Sequence, residues 1–241
     1  MDVNTYLLLG MPITIVFQVV VARRPLRELW LRHGQPLRFD RWSAALFLLF
    51  LIGPIQAAIS GVRINNWPVV IYGLVAILGA CGAAFAFRVL ETSNLRELGL
   101  LMLLIVPIGL VRLLLQYSTG HTGLGDLALA GRFWVEIQSL LFYIPAVFVA
   151  EEVFFRGALD SYLHEGETGM GWISAAFVSV LWGLWHMPIV GPLSFTVIAV
   201  LVGSQLVMGL ILSWLWRQTG NLSMPGTVHA IIDAVRNALL S

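Results

Sequence analysis

Two adjacent glutamates, Glu151 and Glu152, directly follow an apolar stretch that is predicted to lie in a membrane, and Arg156 comes shortly after them. Placing a carboxylate in hydrocarbon costs free energy, so an acidic pair at this position indicates a functional site. Two further apolar segments, residues 182–186 and 229–233, supply candidate partners. They add two histidines and another carboxylate: His186, His229 and Asp233. Glutamate and histidine can together activate water, so the sequence predicts an intramembrane hydrolytic site.

Helical spacing gives the two glutamates different surroundings. Glu152 and Arg156 are four residues apart, share one helical face and can form an ion pair. Glu151 points about 100° away from Glu152 and can face a cavity. One carboxylate is therefore expected to be structural and the other reactive. The alternative is that both glutamates mark a helix end and reach towards the membrane surface.

The two histidines also have structural alternatives. His186 is followed by Met187 and Pro188, and it could simply end a helix at the membrane interface. His229 and Asp233 are four residues apart, share a helical face and could bond only to each other.

Counting residues along a hairpin favours a common site. If the helices on either side of Thr168 form a hairpin, Glu151 lies 17 residues before the turn and His186 lies 18 after it. At about 1.5 Å per residue, both lie roughly 25 Å from the turn and at nearly the same depth. His229 does not fit this count. We expect that a tilted helix or a re-entrant segment over residues 217–226 brings it in.

The composition predicts a membrane protein. Of the 241 residues, 59% are hydrophobic and 11% are charged, and stretches of about 20 apolar residues recur along the chain. Backbone groups in lipid must be bonded internally, so these stretches are predicted to be helices. The predicted spans cover residues 6–22, 42–59, 67–87, 98–116, 133–156, 171–187, 193–216 and 225–240. The predicted fold class is an all-α polytopic membrane bundle of about eight transmembrane helices, in a single integral membrane domain over residues 1–241.

Charge and small residues add expectations about orientation, packing and partners. An excess of arginine in residues 23–41 predicts a cytoplasmic loop, with the N-terminus outside. A stripe of Ala76, Ala80 and Ala84 predicts close helix packing. The net charge of +1 gives no support for nucleic-acid binding, and a lone cysteine, Cys81, excludes an internal disulfide. All fourteen basic residues are arginine, as in proteins from GC-rich bacteria, so we expect the bacterial cytoplasmic (inner) membrane. The oligomeric state stays open.

The three motifs resemble those of a known family. Residues 151–156 match the EExxxR motif of the CPBP family (also called Abi), which groups CAAX prenyl endopeptidases with bacteriocin-processing and self-immunity proteins. Residues 182–186 resemble its FxxxH motif, with Trp182 in place of phenylalanine. Residues 229–233 resemble its third motif, HxxxN or HxxxD. The match covers about 130–240, which we take as a family-like catalytic core.

The resemblance implies a membrane-associated protein or peptide as the substrate and a role for each residue. Glu151 and His186 take the places of the pair that activates the attacking water. His229 and Asp233 take the places of groups that stabilise the oxyanion and orient the substrate carbonyl. An ionised aspartate cannot donate a hydrogen bond, so Asp233 is expected to orient or charge His229. The supporting residues are Glu152, Arg156 and Trp182.

Metal dependence and function class have alternatives. No cofactor is expected, although zinc is possible because four of these residues are acceptable ligands: Glu151, His186, His229 and Asp233. An HExxH motif is absent and three separate helices would supply the ligands, so we favour a metal-independent mechanism. A non-catalytic membrane immunity or scaffold protein is a second hypothesis, which complete retention of the motif side chains argues against. A transporter is a third, but besides Arg112 and Glu136 few polar residues would extend a path. The substrate could be a prenylated CAAX tail, a leader peptide or a sorting-type anchor.

Overall fold

A computed structural model describes residues 3–32, 37–101, 103, 129–189 and 194–240 of the protein. Over these residues the fold is all-α, and the only β-type pairing among them is an isolated bridge between Leu31 and Asn221. The helices are α1 (Val3–Val16), α2 (Arg41–Arg63), α3 (Trp67–Arg88), α4 (residues 92–101), α5 (Leu129–Ala150), α6 (Trp172–Trp185), α7 (Phe195–Thr219) and α8 (Ser223–Leu240). The predicted all-α membrane bundle is confirmed.

Irregular helical turns extend two of these helices and add a short one between α1 and α2. A π-helical turn, Phe17–Val21, continues α1, and a short 3₁₀ helix, Leu26–Leu29, follows it. A longer π-helical segment, Val153–Asp160, and a last turn, Ser161–Leu163, continue α5. π-Helical turns inside α-helices are rare and occur mostly at functional sites. The segment that continues α5 starts directly after the two adjacent glutamates.

Caps at the ends of α2 and α3 fix an antiparallel hairpin. The Asp40 carboxylate accepts hydrogen bonds from the backbone of Trp42 and Ser43, and the Ser43 hydroxyl closes the capping box. The Arg88 guanidinium, at the end of α3, donates to the same carboxylate at 2.8 Å. Asn66 caps the start of α3. One carboxylate therefore ties the start of α2 to the end of α3.

Small residues allow α3 to approach α5 closely. Ala76, Ala80 and Ala84 are almost completely buried, which agrees with the predicted packing stripe. Gly79 lies on the same helix, directly against the main-chain carbonyl of Pro145 in α5. Interhelical packing in membranes relies on such close backbone approach because lipid supplies no hydrophobic driving force between helices.

Within the described residues, four helices are long and apolar enough to cross a membrane: Arg41–Arg63, Trp67–Arg88, Trp134–Leu163 and Phe195–Thr219. Shorter apolar helices cover Leu9–Val21 and Trp172–Trp185. Six predicted spans therefore coincide with apolar helices, and the span predicted at 225–240 coincides with α8. Of the span predicted at 98–116, residues 98–101 and 103 are helical, and the remainder lies outside the described residues.

The packing of α3 on α5 generates a prediction for Gly79→Ala. A methyl group at this position would collide with the Pro145 carbonyl, and relieving such overpacking typically costs about 1–3 kcal/mol. We expect the free energy of unfolding in detergent to fall by that amount.

The matched control is Gly203→Ala in α7, where an added methyl group meets no atom within 4 Å. Alanine is favoured over glycine in a helix by about 1 kcal/mol, so this variant should be equally or more stable. Equal destabilisation by both substitutions would contradict the packing described for α3 and α5.

Candidate active site

The predicted site residues come together where three helices meet. Glu151 and Glu152 lie at the junction of α5 and its π-helical continuation, and His186 caps the C-terminus of α6. His229 and Asp233 lie on α8, which packs against α5. The structure thus places all three sequence motifs in one cluster within the bundle.

Glu151 and His186 contact each other at the level that the hairpin count predicted. The Glu151 Oε2 oxygen lies 3.4 Å from His186 Nε2. The other ring nitrogen of His186, Nδ1, lies 2.8 Å from the main-chain oxygen of Trp182. A carbonyl oxygen can only accept, so Nδ1 carries the proton that it donates. In the neutral imidazole, Nε2 is then the lone-pair nitrogen, and it faces the carboxylate.

Glu152 occupies a different environment and holds His229. The Glu152 Oε1 oxygen accepts from His229 Nδ1 at 2.9 Å, while Oε2 lies 3.6 Å from Arg156 Nε. The side chains of Glu152 and Arg156 are both 0% exposed. The carboxylate therefore bridges a guanidinium of its own helix and an imidazole of α8.

The second ring nitrogen of His229, Nε2, faces the carboxylates of Glu151 and Asp233. His229 Nε2 lies 3.9 Å from Glu151 Oε2 and 3.5 Å from Asp233 Oδ2. Asp233 and His229 share one face of α8, as their four-residue spacing predicted. Three carboxylates consequently surround this one imidazole.

Exposure separates the two adjacent glutamates. The Glu151 side chain is 18% exposed and that of His186 is 14% exposed, whereas Glu152 is completely buried. The Glu151–His186 pair therefore borders an accessible surface of the bundle, whereas the Glu152 carboxylate does not. The two adjacent glutamates thus have different surroundings, as their helical spacing predicted.

The position of His229 corrects the residue count made from the sequence. The count took Thr168 as the common reference level, but the turn between α7 and α8 lies level with Asp160 because Arg217 pairs with that carboxylate. Glu151 precedes Asp160 by nine residues and His229 follows Gly220 by nine. Glu151 and His229 are thus equally far along the chain from this level, and their side chains meet with 3.9 Å between Glu151 Oε2 and His229 Nε2.

The turn before α8 is buried, so α8 begins inside the protein. Each of residues 221–230 is buried. The backbone N–H of Arg32 donates to the Gly220 carbonyl at 2.8 Å, and that of Leu222 donates to Trp30 at 3.0 Å. The Asn221 side chain donates to the main-chain oxygen of Ala86. The segment that follows α1 thus covers this turn, a contact that the sequence did not indicate.

Arg217 forms a buried network at the same end of the bundle. It donates to both oxygens of Asp160, at 2.5 and 3.1 Å, and to the carbonyls of Met170 and Gly171. It also donates to the Ser174 hydroxyl at 2.9 Å. One guanidinium therefore joins the ends of α5 and α7 to the start of α6, and it sets the height of the turn that leads to His229.

Tyr72 of α3 is a neighbour of the site that the sequence reasoning missed. Its phenol lies within electrostatic range of Glu151, Tyr143 and Asp233. Its ring packs edge-on against Phe142, with 5.1 Å between the ring centroids. The signal in the sequence is a single phenol in an otherwise apolar span, which tyrosines at membrane interfaces also give.

The donor types suit zinc, but their arrangement does not. Among the described residues, no group of three or more His, Cys, Asp or Glu side chains could hold a metal ion. The Glu151 oxygen that faces both imidazoles already accepts the Trp182 indole N–H at 2.7 Å. The residues present therefore do not fit a preformed metal centre.

The fold and the cluster define a polytopic helical membrane protein with a Glu–His site between its helices. A family model described as Rce1-like, type II CAAX prenyl endopeptidase, matches residues 132–235. This match supports membership of the CPBP family, as the three motifs predicted. No curated protein and no solved structure matches the chain. The Rce1-like family is a protease family, which supports a hydrolase, and together with the four apolar helices it indicates an integral membrane protein.

The Arg217 network generates a prediction for Arg217→Ala. Removing one partner of a buried ion pair leaves the other charge uncompensated, which costs about 3–5 kcal/mol. We expect Arg217→Ala to lower the free energy of unfolding by that amount because Asp160 is completely buried.

Arg63→Ala serves as the matched control, since Arg63 lies in the exposed last turn of α2. Its loss should change the free energy of unfolding by less than about 1 kcal/mol. If the two variants unfold alike, Arg217 does not hold the ends of the helices together.

Proposed function

We propose that the protein is a glutamic intramembrane endopeptidase that hydrolyses a peptide bond of a membrane-associated protein or peptide. The observation that carries this proposal is the 3.4 Å contact between the Glu151 carboxylate and His186 Nε2. The pair is partly exposed, although it lies between apolar helices. The match to a protease family supports the reaction class.

Glu151 and His186 activate the attacking water. Glu151 Oε2 and the lone-pair nitrogen of His186 are both hydrogen-bond acceptors, so a water that lies beside the pair can donate one hydrogen bond to each group. A carboxylate within hydrogen-bond reach of that water acts as the general base. The water oxygen then attacks the carbonyl carbon of the scissile peptide, and the proton taken up by the base passes to the departing amine.

His229 stabilises the negative charge that develops on the carbonyl oxygen. The carboxylates of Glu151, Glu152 and Asp233 favour the imidazolium form of His229, which donates from both ring nitrogens. Nδ1 donates to Glu152, which leaves the proton on Nε2, the nitrogen nearer to Glu151, to donate to the carbonyl oxygen. Hydrogen bonds aimed at developing charge are among the largest contributions to catalysis.

Asp233 acts through His229 because an ionised aspartate has no proton to donate to an oxyanion. Its Oδ2 oxygen lies 3.5 Å from His229 Nε2, close enough to favour the protonated ring. Glu152 and Arg156 form a buried pair that fixes the helix on which Glu151 lies.

The proposed mechanism needs no metal, and its substrate is anchored at a membrane. Water activation is assigned to Glu151, and no step requires a Lewis acid. The bundle offers the site to a peptide that enters from the bilayer or its surface, such as a prenylated CAAX tail, a leader peptide or a sorting-type anchor. We place the protein in the bacterial cytoplasmic membrane.

The test is cleavage of a panel of membrane-anchored peptides by the purified protein in liposomes. We expect Glu151→Gln to lower kcat by about 10²–10⁴-fold, the usual contribution of a general base. Activity should survive a chelator.

Glu97→Gln is the control for this experiment, because Glu97 is an exposed carboxylate of α4. It should keep wild-type kcat. Full activity of Glu151→Gln would remove Glu151 from the mechanism. Loss of wild-type activity with the chelator would establish a metal-dependent reaction. Cleavage of no peptide, together with a cellular phenotype that is unchanged in Glu151→Gln, would favour the scaffold hypothesis.

Asp233→Asn tests the role of the third carboxylate. If Asp233 supports the imidazolium form of His229, the neutral amide should lower kcat about tenfold or more, as expected for the loss of a charged hydrogen bond. Peptide KM should change little. Equal or higher kcat in Asp233→Asn would show instead that this position donates directly to the oxyanion.

A further inference from the structure

The indole of Trp182 lies at the centre of the candidate site. Trp182 is only 2% exposed, and its N–H donates to Glu151 Oε2 at 2.7 Å. The indole also packs nearly perpendicular to both imidazoles. The ring centroids of His186 and His229 lie 5.5 and 5.1 Å away, at interplanar angles of 78° and 75°. One side chain of α6 therefore contacts the three groups to which the reaction is assigned.

The supporting arginine completes the surroundings of this ring. The guanidinium carbon of Arg156 lies 5.1 Å from the centroid of Trp182, within the range of a cation–π interaction. Arg156 is completely buried, and its nitrogens have no hydrogen-bond partner among the described residues. The indole and the Glu152 carboxylate are thus the groups that stabilise its charge.

The hydrogen bond from the indole distinguishes the two oxygens of Glu151. Oε2 accepts from Trp182 and faces both His186 and His229. A glutamate side chain has three rotatable bonds, and a charge-assisted hydrogen bond from a rigid donor restricts them. With Oε2 held in this way, the carboxylate presents a fixed edge to the water.

This donor departs from the FxxxH motif that residues 182–186 resemble. The second motif of the family carries phenylalanine at this position, and a phenyl ring fills space but has no proton to donate. We propose that Trp182 is a positioning residue, whose N–H fixes the Glu151 carboxylate for proton abstraction while its ring sets the distance between the two imidazoles. This inference rests on the proposed function of Glu151.

The first test is Trp182→Phe, which keeps an aromatic ring and removes the N–H. We expect kcat to fall about 10- to 100-fold, because a hydrogen bond to a charged group typically contributes that much. Peptide KM should stay within about twofold, since Trp182 holds the base rather than the substrate. A purely structural role would instead lower the amount of folded protein and leave kcat per folded molecule unchanged.

Trp185→Phe is the matched control. It makes the same chemical change three residues further along α6, where the ring of Trp185 packs on Phe154 and Phe155. Its kcat should equal that of the wild type. If Trp182→Phe and Trp185→Phe have the same kcat, the positioning role is overturned.

A second measurement keeps the inference testable without a substrate. The unfolding equilibrium constants of Trp182→Phe, Glu151→Met and the double variant form a double-mutant cycle. If the indole bonds to the carboxylate, the two effects should be non-additive by about tenfold or more. Additive effects would overturn the inference.

The two proposals fail in different ways. A wild-type protein that cleaves nothing contradicts the proposed function, while the cycle still decides whether Trp182 holds Glu151. Cleavage by the wild type with an unchanged kcat in Trp182→Phe contradicts the positioning role and leaves the peptidase intact.

Discussion

A charge buried in a bundle of apolar helices is stable only where other groups of the protein neutralise it and satisfy its hydrogen bonds. Glu152 has a carboxylate that is completely buried, and it lies between the guanidinium of Arg156 and the imidazole of His229. These two partners come from different helices. Pairing Glu152 with both groups therefore requires α8 to pack against α5 at one particular height, and that height brings His229 to Glu151.

A second buried pair supports the same register from the end of the bundle. The left-handed Gly220 ends α7, and the ion pair between Asp160 and Arg217 joins that end to the continuation of α5. The turn at Gly220 is covered by residues 26–32, so its backbone polar groups are bonded without water. Unpaired backbone groups would be costly at this depth. The carboxylate of Glu151 is partly exposed, whereas the buried carboxylates of Glu152 and Asp160 are paired within the protein.

Sequence reasoning reached the parts of the site that depend on spacing within one helix or one hairpin. The contact of Glu151 with His186 follows from a count of residues on either side of a turn, and that of His229 with Asp233 follows from helical period. The depth of His229 in the bundle could not be predicted from spacing, because it depends on the pairing of Asp160 with Arg217 across the bundle. Tyr72 could not be found, since hydrophobicity alone marks the helix on which it lies.

The central claim is that one water, activated by Glu151, attacks a peptide carbonyl whose oxygen is stabilised by His229. The most direct test is an experimental structure with a bound peptide aldehyde, whose hydrate imitates the tetrahedral intermediate. The account predicts one hydrate oxygen within hydrogen-bond distance of the Glu151 carboxylate and the other within hydrogen-bond distance of His229 Nε2. A hydrate bound away from both side chains, or held by a metal ion between them, would contradict it.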